Sequence, residues 1–148
     1  MHHFREAVRL DRRDWVDVLE AQLHLGRAWW LVRRRRPGRL VTARSSASAH
    51  EVDRSTSAEV TRLARAIHRA SSYGLFRPLC LVRALALQQL LKAHRISGGV
   101  IRVGVKLRDE ELLAHAWVEW DGEVVGDDPR HTREFELLGE LTCAEAWA

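Results

Sequence analysis

The chain has 148 residues, 46% of them hydrophobic with six Trp, and 24 Lys and Arg against 20 Asp and Glu leave a net charge of +4. That is length for one domain with a real core plus a small helical extension, and the composition excludes disorder. No run approaches the roughly 18 apolar residues of a membrane span, Met1-His2-His3-Phe4 leads into no signal-peptide run, and two distant Cys exclude a disulfide framework or zinc knuckle, so a reducing cytoplasm is the expected setting.

Asp14 to Trp30 carries apolar residues at Trp15, Val18, Leu19, Leu23, Leu25 and Trp29-Trp30, which predicts a helix ended by Arg33 to Arg36, Pro37 and Gly38. The Arg run suits a helix C-terminus or a docking surface, and no nucleic-acid module accompanies it. Residues 45–55 read as a connection. Thr56-Ser57-Ala58-Glu59 predicts a capping box, and Val60, Leu63, Ala64 and Ile67 mark one face of a helix stopped at Tyr73-Gly74. Pro78 suits a first helical turn. Leu81, Leu85, Leu87, Leu90 and Leu91 predict a buried central helix. Ser97-Gly98-Gly99 turns the chain into a strand over 100–107. A charged loop over 108–111, a second strand over 112–120, the Asp121-Gly122 tight turn and a short third strand over 123–125 follow. From Asp109 onward the chain is acidic. The tail with Phe135, Leu137, Leu138 and Leu141 is open between helix and irregular packing. Helices first and an antiparallel sheet after them make the class α+β.

Three residues carry candidate chemistry. Cys80 opens the apolar helix, where the partial positive charge of the N-terminus favours a thiolate and exposed N–H groups stabilise an oxyanion. His115 alternates onto one strand face with Leu113 and Trp117, a base for the thiol proton. Counting back from Asp121-Gly122 brings residue 127 or 128 opposite His115, so Asp127 is the candidate acid that orients the ring and Asp128 its rival. Taken singly, a Cys in an apolar helix is most often core and an Asp in a turn most often a cap. The three weigh more in one compatible order. Cys143 reads as structural or exposed, and His2, His3, His24, His50, His68, His94 and His131 show no metal spacing. No metal or cofactor is called for, and no phosphate loop is present.

A thiol at a helix start, a histidine on a strand and an acid one strand on is the order of transglutaminase-like cysteine enzymes. Pro78-Leu79-Cys80-Leu81-Val82-Arg83-Ala84-Leu85, Gly104-Val105, Ala114-His115-Ala116-Trp117-Val118-Glu119 and Gly122 together resemble the lasso-peptide leader peptidases. The resemblance implies a transglutaminase-like (papain-like) core over 56–148, behind a helical region with the Arg-rich segment over 1–55. It implies Cys80 as nucleophile, His115 as general base and acid, and Asp127 as orienting acid. The expected partners are a lasso precursor peptide and a separate leader-recognition protein, because residues 1–75 read as helices rather than the strand-rich leader-binding module of longer members. The ATP-dependent macrocyclase is a further candidate partner. Acyl transfer to an amine, as in a transglutaminase, and a non-enzymatic basic peptide-binding adaptor are the alternatives.

Overall fold

The computed structural model describes residues 11–34, 54–74 and 78–141. Its elements run α1 (Arg12–Arg34), α2 (Arg54–Tyr73), α3 (Cys80–Ala93), β1 (Val100–Arg108), β2 (Glu111–Trp120), β3 (Glu123–Val125), α4 (Pro129–Thr132) and β4 (Glu136–Leu141). The strands form one antiparallel sheet in the order β3-β2-β1-β4. The α+β class and the small antiparallel sheet follow the sequence.

α3 is the central element. α1 and α2 pack on each other and on α3, and the sheet meets α3 through β2. The core runs through all of them, with Leu25, Val60, Leu63, Val82, Leu90, Leu91, Ile101 and Val118 fully buried. Val60, Leu63, Ala64 and Ile67 of α2 are buried as their spacing predicts. Gln88 Nε2 donates to the Gly99 carbonyl at 2.7 Å, tying α3 to the approach of β1. Both hairpin turns are tight because both central residues take positive φ: Asp109 and Glu110 at 50° and 67°, Asp121 and Gly122 at 52° and 77°.

The fold differs from expectation in two places. Arg33 and Arg34 close the last turn of α1 as their charges predict, with their guanidinium groups over Trp29 and Trp30. The Pro37-Gly38 stop, residues 45–53 of the connection and Cys143 lie outside the described residues. α2 starts before Thr56, so Thr56 is no cap. Glu59 is engaged instead by Arg62 at 3.1 Å and by His94 at 3.2 Å, charged or ring donors that outbid a backbone N–H. The tail is a fourth strand, β4, which satisfies the free edge of β1 from Ile101 to Val105 with a bulge between Val103 and Gly104.

Buried polar groups pin the helices. Asp17 of α1 pairs with Arg62 of α2, and that bond raises the Arg62 pKa against the opposing effect of burial. Among the described residues no helix is long and apolar enough to cross a membrane.

Candidate active site

Cys80 is the first residue of α3, half-buried. The preceding Leu79 is extended (φ −63°, ψ 158°) and has no side chain that caps the helix. Such a terminus turns its first amide N–H groups, with their partial positive charge, toward whatever lies at the thiol.

His115 sits in β2 opposite Gly104 of β1. Three rings enclose its imidazole: Trp117 stacks at 6.0 Å, Phe135 lies at 5.2 Å and His131 at 5.1 Å. Gly104 makes this wall possible. A Cβ there would come within 2.8 Å of the Phe135 Cβ, 2.9 Å of the Trp117 ring and 3.0 Å of the Glu136 carbonyl.

Asp127 follows β3. Val118 pairs with Val125 and Trp120 with Glu123, a register that returns the chain alongside His115. Gly126, at φ 76°, makes the turn that a side chain would strain. The Asp127 Oδ2 and His115 Nε2 atoms are 2.8 Å apart, both side chains largely shielded from water. An ionised carboxylate only accepts, so Nε2–H donates and Nδ1 is the nitrogen left to exchange a proton with a thiol. The other carboxylate oxygen accepts from the Asp128 amide at 2.8 Å. Asp128 turns away: its Oδ1 accepts from the Arg130 amide at 2.8 Å and caps α4.

Cys80 and Asp127 line one small cavity, with Arg83, Leu87, Ala116 and Trp117 also in its wall. Of the three predicted residues, Asp127 bonds His115 and lines a cavity with Cys80, while His115 is not among the residues lining that cavity. Among the described residues Cys80 Sγ makes no hydrogen bond.

Arg83 stands in the motif that carries the resemblance but has no chemical role assigned to it there. It lies three residues past Cys80 on the same helical face, and it donates to the Gly126 carbonyl at 3.2 Å, bracing the segment that carries Asp127. Its position one turn after the thiol was the available signal. Phe135 and His131 gave none, since their approach to His115 depends on the pairing of β4 with β1. Lys106 sits 4.4 Å over the Phe135 ring and bonds Glu134 at 2.7 Å.

A cleft of about 640 Å³ opens beside Trp117, lined by Leu137, Val124, Arg102, Arg133 and Glu123 among others. Arg102 there is held by Glu119 at 2.8 Å and by Glu140. Among the described residues no group of three or more His, Cys, Asp or Glu is placed to hold a metal ion.

The sequence profile of the Transglutaminase-like superfamily matches residues 22–139. No curated protein and no solved structure matches the chain.

Proposed function

This chain belongs to the Transglutaminase-like superfamily, and we propose that it is a cysteine peptidase that removes the leader from a lasso-peptide precursor, acting with a separate leader-recognition protein. Membership fits a cysteine peptidase or an acyltransferase. The observation that carries the peptidase reading is the 2.8 Å bond between His115 Nε2 and Asp127 Oδ2, beside a cavity that Asp127 shares with Cys80 at the start of α3. The choice of substrate rests on the joint motif of Cys80-Leu81-Val82-Arg83 with His115-Ala116-Trp117-Val118-Glu119.

In the proposed mechanism His115 Nδ1 takes the Cys80 proton, and the thiolate attacks the carbonyl carbon of the last leader residue. The tetrahedral oxyanion is stabilised by first-turn N–H groups of α3. Collapse breaks the C–N bond as the imidazolium gives its proton to the departing core amine, leaving a leader thioester on Cys80. Water then attacks while His115 Nδ1 accepts its proton. The thiolate leaves with leader acid released, and the proton returns to the Cys80–His115 pair. Asp127 stays ionised throughout and holds the ring in the required tautomer.

The test is to incubate the protein with its neighbouring precursor peptide and the candidate leader-binding protein in heavy-oxygen water and to analyse products by mass spectrometry. Free core plus leader bearing one heavy oxygen supports the hydrolase. Leader joined to an added amine establishes acyl transfer instead. Intact precursor with correctly folded protein favours the adaptor.

A further inference from the structure

α1 turns its acids inward and its apolar side chains outward. Asp14 and Asp17 pair with Arg69 and Arg62 of α2, and Glu20 contacts His94 at the end of α3. Every exposed residue from Arg12 to Arg34 is apolar or arginine. Leu23 is 75% exposed and Leu19 62%, and Trp15, Val16 and Trp30 are each about half exposed or more. These are not scattered hydrophobics. Val16, Leu19, Leu23, Gly26 and Trp30 recur at three- and four-residue steps, a helix-packing seam about 21 Å long with no partner among the described residues. Such a continuous apolar strip marks an interaction surface.

Charge and shape narrow the occupant. Arg12 stands at one end of the seam, and Arg33 and Arg34 at the other, with the Arg34 guanidinium 4.1 Å over Trp30. Gly26 weakens the helix at its middle, yet a Cβ there would meet nothing within 4 Å. Nothing described in the chain requires that glycine, and the position between Leu23 and Trp30 is open space with room for a side chain from elsewhere. We infer that this face docks an acidic amphipathic helix of another protein. The apolar ridge of that helix lies in the seam, one side chain fills the space over Gly26, and carboxylates flank Arg12, Arg33 and Arg34. A second copy of α1 is disfavoured because either orientation sets arginine against arginine. The segments that flank α1 in sequence, 1–10 and 35–53, each carry more Arg than Asp and Glu, again the wrong sign. A fluid lipid surface would not favour a single open position such as that over Gly26. The inference does not depend on the chemistry at Cys80, since α1 contributes no residue named in that site.

The experiment uses two labelled peptides of about 21 residues, three heptads with one Leu seam, flanked by Glu in one and by Lys in the other. Each is titrated with the full chain and read by fluorescence anisotropy. The Glu-flanked peptide is expected to bind with Kd on the order of micromolar, to weaken about tenfold at high salt, and the Lys-flanked peptide not to bind. Leu19→Glu with Leu23→Glu should weaken binding at least about tenfold. Gly26→Leu should leave thermal stability equal or higher, since it improves helix propensity, while also weakening binding, which separates a blocked position from a damaged fold. Equal binding of both peptides, no binding of the Glu-flanked one, or binding indifferent to these variants would overturn the inference. So would a concentration-dependent dimer of the chain that the Leu19 and Leu23 changes abolish. Binding to phosphatidylglycerol vesicles without binding to the acidic peptide would overturn it in favour of a membrane.

Discussion

Replacing Asp127 by Asn tests the site at its best-defined contact. The side chains keep their shape, but the carboxylate that accepts from His115 Nε2 at 2.8 Å becomes an amide. A hydrogen bond to a charged group contributes about 1.5–3 kcal/mol, so the loss of that bond alone predicts a fall in kcat of roughly 10- to 100-fold. The amide adds a second fault. With its NH2 turned to Nε2 it favours the tautomer with the proton on Nδ1, the nitrogen that must receive the thiol proton, so the fall should reach about 100-fold or more. Asp128→Asn is the control. Asp128 caps α4 through the Arg130 amide, Asn caps nearly as well, and the rate should stay within about threefold of the parent. The assay is kcat and kcat/KM for precursor cleavage with chromatographic quantitation of both products, with each variant's fold checked by circular dichroism. Asp127→Asn at near-parent rate, or Asp128→Asn as the worse variant, would refute the assignment of the orienting acid.

Other outcomes follow from the same contacts. Arg83→Lys keeps the charge but loses the planar fork that reaches the Gly126 carbonyl, and kcat should drop about tenfold at unchanged KM; the same change made on Asp127→Asn should cost little, because Arg83 acts through Asp127, and full additivity would sink this role. Gly104→Ala forces a methyl against Phe135, Trp117 and the Glu136 carbonyl; overpacking of about 1–3 kcal/mol should lower Tm by several degrees, and an unchanged melt would contradict the close packing around His115. The exposed Glu134 carboxyl is held below its ordinary pKa, chiefly by its hydrogen bond from Lys106 and then by that ammonium's charge. A depressed carboxylate stabilises the fold above its unfolded pKa, and the contribution disappears as pH falls through the folded value. Glu134→Gln should flatten that acid limb in melts measured across pH, and an unaltered pH dependence would show that the pair contributes nothing to stability.

Much of the fold was legible because local signals agreed with tertiary need. α3 is apolar almost throughout, so it could only be central. β2 and β3 alternate across an Asp-Gly turn, and that register alone placed residue 127 or 128 beside His115. The rest depended on distant partners. Glu136-Leu137-Leu138-Gly139-Glu140 has no two-residue alternation, and only the open edge of β1 makes it a strand. The residues that marked α1 as a helix are largely not those it buries: Trp15, Leu19 and Leu23 face out, while Ala21, Leu25, Ala28 and the paired Asp17 face in. A buried aspartate reads as a surface residue until Arg62, 45 positions on, comes beside it. Thr56 failed as a cap for a related reason, since Glu59 answers Arg62 and His94 rather than the local backbone.

The central claim is that Cys80 is a nucleophile activated through His115 and Asp127. The most direct measurement is the rate of iodoacetamide alkylation at Cys80 against pH, followed by peptide mass mapping, in the parent and in His115→Ala. The account predicts that Cys80 reacts at neutral pH in preference to Cys143 and that loss of the imidazole slows that reaction. A Cys80 that resists alkylation in the folded parent, or reacts identically without His115, would contradict it.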